Sequence, residues 1–189
     1  MRLKTSYFSP AIFRKTISRF YLLVIFYFAA QCVALPLTLS TTLNSQYQYD
    51  GVKYANLMYR AVRAIYFSTE ITAIIALVGG CAAAIAIFSY LYSARSANMM
   101  ASLPIRREAI FVSSVGAVYA VVLISNIIAA LFAFGVTMPM GLMLGKWILQ
   151  WFGIVLVQFT LFFGLAVLCA VVTGSILAMP AIYVVVNFA

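Results

Sequence analysis

The sequence has no histidine, and among its 189 residues only three are acidic: Asp50, Glu70 and Glu108. Lacking histidine, it lacks the commonest general base and metal ligand that titrate near neutral pH. The acids lie far apart along the chain, so general acid–base chemistry by paired carboxylates has no visible starting point. Its three cysteines, Cys32, Cys81 and Cys169, all fall inside apolar runs, and no CxxC spacing occurs. Neither a disulfide framework nor a zinc site is supported. No GxxxxGK(S/T) stretch is present to cradle ATP phosphates. The chain is therefore expected to be non-enzymatic in itself and to bind no cofactor of its own.

What is abundant is apolar surface. Hydrophobic residues make up 66% of the chain and charged residues 8%, too little polar surface to cover a soluble core, so lipid is the expected solvent. The net charge of +9 could suit nucleic acid, but the lysines and arginines sit at the ends of apolar runs and build no continuous patch. No nucleic-acid partner is expected. A spanning helix needs about 20 mostly apolar residues. Four runs qualify: about 17–40, 70–92, 109–137 and 147–172. A fifth apolar run from 175 is too short to span. Residues 1–189 are expected to be one transmembrane domain, either cut from a longer protein, the favoured reading, or with a re-entrant last segment. The first run is too long and too late for a signal-peptide h-region and is expected to remain as an anchor.

Basic residues set the expected orientation. Arg2, Lys4, Arg14, Lys15 and Arg19 precede the first span, and Arg95, Arg106 and Arg107 separate the second from the third. The other side carries Lys53, Arg60, Arg63 and Lys146. The bias predicts a multi-pass protein of the cell membrane with a cytoplasmic N-terminus. Tyr21, Tyr90, Tyr92, Trp147 and Trp151 are expected at the membrane–water boundaries.

Two helices outside the spans are also predicted. In FSPAIFRKTISR, Ser9 suits an N-cap and Pro10 the first helical position. Ile12, Phe13, Ile17 and Phe20 share one face, leaving Arg14, Lys15 and Arg19 for lipid phosphates, the pattern of an interfacial amphipathic helix. In NLMYRAVRAIYF, Leu57, Ala61, Ala64 and Ile65 recur at helical spacing opposite Arg60 and Arg63. That segment reads as a surface helix or as an extension of the second span, with lipid anchoring the expected role of its arginines.

Between the second and third spans lies SARSANMMASLPIRRE, residues 93–108. Ser93 can cap a short helix, Ala94–Leu103 favour helix, and Pro104 ends it. Met99, Met100 and Leu103 would present a small adaptable apolar knob, with Arg106 and Arg107 as basic shoulders and Glu108 at the positive start of the next helix. SLPIRRE in this position resembles the first cytoplasmic loop of bacterial ABC transporter permeases of the type-2 exporter class. The opening KTSYFSPAIFRKTISRFYLLVIFYF is also similar to the start of a permease group within that class. The resemblance covers roughly residues 4–115.

It implies an all-α polytopic membrane helical bundle, with the interfacial N-terminal helix and a cytoplasmic coupling helix between the second and third spans. The coupling helix would dock on a separate nucleotide-binding ATPase subunit, which holds ATP-Mg. That role would fall on Arg95, Asn98, Met99, Met100, Ser102, Leu103, Pro104, Arg106 and Arg107. A second permease copy or paralogue and membrane lipids are the other implied partners. Many members carry an aromatic residue and a histidine before SLP, where this chain has Met100 and Ala101, so its docking surface would be softer and smaller.

Polar residues inside spans point to a pathway or to interhelical packing. Here these are Asn126, Gln158 and Thr160, with Glu70 at the expected outer start of the second span. Small residues, Gly79, Gly80, Ala82, Ala83, Ala84 and Ala86 in the second span and Ser113, Gly116 and Ala117 in the third, predict close helix packing. The expected function is export of a peptide, lipid or hydrophobic drug by an ATP-driven permease. The alternatives are a membrane-embedded immunity or sensor component that binds an antimicrobial peptide, then an ATPase-independent channel or secondary transporter, and last a membrane enzyme.

Overall fold

The computed structural model describes residues 9–47, 54–89 and 107–188, and all regular structure among them is helical. The helices are α1 (Pro10–Arg19), α2 (Tyr21–Cys32), α3 (Thr38–Tyr47), α4 (Tyr54–Phe88), α5 (Arg107–Thr137), α6 (Gly145–Val172) and α7 (Ala178–Phe188). A π turn, Val33–Leu37, joins α2 to α3. Four stretches are long and apolar enough to cross a membrane: Tyr21–Asn44, Asn56–Phe88, Glu108–Thr137 and Gly145–Val172. The architecture is compatible with a multi-pass helical membrane protein. Large side chains such as Phe26, Leu149 and Val172 stay more than 70% exposed, a poor arrangement in water and a suitable one in hydrocarbon.

Several boundaries differ from the sequence reading. The first span does not begin at Ile17, which belongs to α1. Phe20 leaves helical geometry (φ −111°, ψ 24°) and separates α1 from α2. In α1 the half-buried residues are Ile12, Phe13, Thr16 and Ile17, continued by Phe20 just past its end, while Arg14, Lys15 and Arg19 are exposed. Ser9 occupies the N-cap position before Pro10, but its hydroxyl caps nothing. Instead its backbone N–H donates to Ser113 Oγ of α5 at 2.8 Å.

Pro36 has no N–H to give and would crowd the carbonyl one turn back. The π turn absorbs this by widening the helix locally. The hydroxyls that follow bond back onto the backbone: Thr38 to Val33 O (3.3 Å), Thr41 to Leu37 O (3.0 Å) and Thr42 to Thr38 O (2.7 Å). A helix rich in Ser and Thr can thus enter an apolar solvent without stranded hydroxyls.

The second span begins far earlier than residue 70. α4 is continuous over 35 residues, roughly 50 Å at helical rise, so the segment with Arg60 and Arg63 extends the span.

The chain divides into two compact units, one within Met1–Val24, Gly79–Val121 and Phe162–Ala189, the other within Ile25–Val78 and Val122–Leu161. The core of the second is aliphatic, built from Leu35, Leu39 and Leu43, Ala61, Ala64 and Ile65, Ala129 and Ala133, Leu144, Ile148 and Val155, with Trp151 fully enclosed. Tyr66 meets Trp147 edge-on at 5.8 Å. Small residues of α4 and α5 leave room for the larger ones of α6, which is how cores without large voids are filled. In the first unit, Gly80 of α4 lies directly against the backbone of Phe162 and Phe163 in α6. Tyr119 of α5 caps Phe163 edge-on at 5.8 Å. The small-residue face of α4 therefore packs within the chain at Gly80, whereas Gly116 of α5 faces open space.

Candidate functional site

The polar groups of the second unit form the most distinctive chemistry among the described residues. Tyr27 and Gln31 are one turn apart on α2, and Gln31 Nε2 donates to the Tyr27 hydroxyl at 2.9 Å. Tyr27 also meets Phe159 edge-on at 5.8 Å. Asn126 of α5 lies beside Tyr27, close enough for its amide to act on the phenol. Both Gln31 and Asn126 are fully buried. Among the described residues, Gln31 Oε1 and both polar atoms of Asn126 nevertheless make no hydrogen bond of acceptable geometry, nor does Trp151 Nε1. A buried group left unmet costs about 1–3 kcal/mol. Such groups normally find a partner in water, a ligand or a second conformation. The set is uncharged, so it can hydrogen-bond a passing or resident molecule but cannot hold an ion by charge.

Gln158 of α6 is engaged differently. Its Nε2 donates to Thr69 O and its Oε1 accepts from Thr72 Oγ1, both at 3.4 Å. It ties α6 to α4 as packing glue, with long and weak bonds. Thr160 is exposed, and its hydroxyl bonds Leu156 O of its own helix at 2.8 Å. It joins no site. Glu70 is exposed and lies in the interior of α4 rather than at its start. The structure thus brings together neither Glu70 nor Thr160 with Asn126.

Sequence reasoning missed Tyr27 and Gln31. A Tyr and a Gln four apart inside an apolar run were nevertheless a legible signal. Trp151 was expected at a membrane boundary and is instead fully buried in the core. α6 starts at Gly145, which sets Trp151 almost two turns into the helix and on its inner face. Trp147, half-buried against the same core, lies nearer the helix start.

An open groove of about 640 Å³ lies in the same unit, lined by Thr38, Thr42, Asn56, Tyr59, Arg60, Arg63, Ala64 and Phe67. A second, apolar groove of about 330 Å³ runs between α5 and α6 past Ile127, Leu131, Phe134 and Phe152. No cluster of three or more His, Cys, Asp or Glu able to hold a metal occurs among the described residues.

Arg95, Asn98, Met99, Met100, Ser102, Leu103, Pro104 and Arg106 lie outside the described residues, and Arg107 is the first residue of α5. α4 ends at Phe88 and α5 opens with Glu108 in its first turn, where a carboxylate favours the positive end of the helix. No family model, curated protein or solved structure matches the chain.

Proposed function

We propose that this chain is a transmembrane permease subunit of an ATP-driven exporter of the type-2 ABC class, moving a peptide, lipid or hydrophobic drug with energy from a separate nucleotide-binding ATPase. The observation that carries the reading is the basic, proline-ended SARSANMMASLPIRRE interval between two long apolar helices of 35 and 31 residues. In this reading Met99, Met100 and Leu103 seat in a cleft of the ATPase, and Arg95, Asn98, Ser102, Arg106 and Arg107 hold its polar rim. Pro104 ends the coupling helix, so ATP-driven closure of the partner reaches α4 and α5 as a push on a short rigid element. α1, with its exposed Arg14, Lys15 and Arg19, lies along the cytoplasmic membrane surface.

The buried, neutral and incompletely bonded Gln31 and Asn126 support a path for amphipathic cargo. An ion or proton pathway is expected to carry intramembrane charge, and Gln31, Asn126 and Tyr27 are neutral side chains. A second permease copy or paralogue completes the transporter in this account.

The test is affinity purification of the tagged chain from its native membranes. A subunit bearing a GxxxxGK(S/T) sequence should co-purify, together with Mg-ATP hydrolysis. Arg106→Glu with Arg107→Glu should remove both while leaving membrane insertion intact. Purification of a correctly inserted chain with neither would overturn the proposal.

A further inference from the structure

The groove between α3 and α4 has a composition that the transport reading does not use. Arg60 and Arg63 are one turn apart on α4, and both are exposed. Neither makes an ion pair or hydrogen bond among the described residues. Thr38 and Thr42 supply the opposite wall from α3, while Tyr59 and Phe67 add aromatic surface. Glu70, the nearest described acid along α4, lies about 10 Å beyond Arg63 at helical rise and does not line the groove. Below Phe67 the same exposed stripe of α4 continues through Ile74 and Val78. Along one helix, then, the surface passes from guanidinium to aromatic ring to aliphatic chain.

Depth supports the same assignment. A hydrocarbon core takes about 20 helical residues. Counting back from Phe88, the end of α4, reaches Thr69; counting forward from Tyr21, the start of α2, reaches Ser40. Thr38 and Thr42 flank the second mark. Arg63 lies six residues past the first, roughly 9 Å, in reach of the headgroup layer for a side chain that extends along the surface. Two guanidiniums offering fork-shaped donors suit a phosphodiester, and the Thr38 and Thr42 hydroxyl oxygens, whose protons go to Val33 O and Thr38 O, can accept from a headgroup hydroxyl.

We propose that the groove of Thr38, Thr42, Tyr59, Arg60, Arg63 and Phe67 binds the phosphate headgroup of an anionic phospholipid, with the acyl chains lying along the Phe67–Ile74–Val78 stripe. This site stands independently of the transport reading.

The experiment is native mass spectrometry of the purified chain in an uncharged detergent, with equal amounts of phosphatidylglycerol and phosphatidylcholine added. The wild type should retain phosphatidylglycerol preferentially, in one-to-one stoichiometry. Each arginine near a lipid surface is worth roughly fivefold in affinity, so Arg60→Gln with Arg63→Gln should lower retention about 25-fold. Arg14→Gln with Lys15→Gln, on the exposed face of α1, should change it little. Equal retention of the two lipids by the wild type would overturn the proposal without recourse to any variant. So would an equal loss in the α1 variant, which would mark a general charge effect. Displacement of the lipid by millimolar inorganic phosphate would identify a site for free anions and also overturn it.

Discussion

Replacing Gly80 with alanine is the sharpest single test of how α4 and α6 pack. A Cβ at position 80 would lie 3.0 Å from Phe163 N, 3.2 Å from Phe163 Cα and 3.3 Å from the Phe162 carbonyl carbon. Ordinary contact begins near 3.4 Å, and all three atoms are backbone, so no rotamer change relieves the clash. The helices must separate by a few tenths of an ångström along the contact. Overpacking of this kind costs about 1–3 kcal/mol, against a gain of about 0.5–1 kcal/mol from replacing a helical glycine. Gly153 and Gly164 in α6 have nothing within 4 Å of the same hypothetical atom, so alanine there should gain up to about 1 kcal/mol. Reversible unfolding by SDS in mixed micelles, followed by fluorescence of the two tryptophans, reads all three variants. Gly80→Ala should unfold at lower SDS than the wild type, and Gly153→Ala and Gly164→Ala at equal or higher SDS. A Gly80→Ala protein as stable as the wild type would refute the close approach. A matching loss in Gly164→Ala would refute the steric explanation.

The same assay checks three other substitutions. Asn126→Leu removes two buried polar atoms that lack partners among the described residues and should raise stability by about 1–3 kcal/mol; a fall would mean that the amide is bonded in the folded protein. Trp151→Ala should cost about 3–5 kcal/mol because the ring is fully enclosed. Trp151→Phe should cost less, since it keeps most of the volume and discards the unmet N–H. Ser113→Ala deprives the Ser9 N–H of its acceptor; hydrogen exchange at the start of α1 should quicken while that of α5 stays unchanged, and no change would show that α1 is held by other contacts.

The four spans were legible because about 20 apolar residues in sequence have one stable outcome in lipid. Their ends were not. Arg60 and Arg63 interrupted the apolar run, and hydropathy therefore began the second span at residue 70, whereas the backbone continues as helix through both arginines to Tyr54. The break at Phe20 left no mark in hydropathy, since both flanks are apolar. Trp151 was misplaced because an aromatic near a span end reads as a boundary anchor, while helix phase, which sequence position alone does not fix, turns it into the core. The proximity of Asn126 to Tyr27 joins α5 to α2, and no spacing rule links residues on different helices. Gln158 was read as packing glue or a pathway group, and its bonds to Thr69 and Thr72 favour the former.

In the proposed transporter the interval between α4 and α5 is the handle of an ATPase. That role is tested most directly by placing a photoreactive residue at Met99 or Met100 and irradiating native membranes. One dominant crosslink to a nucleotide-binding subunit is expected, stronger with ATP-Mg than without, and no such product from the same probe at exposed Leu149 of α6. A product that contains only lipid, from a chain that is expressed and inserted normally, would contradict it.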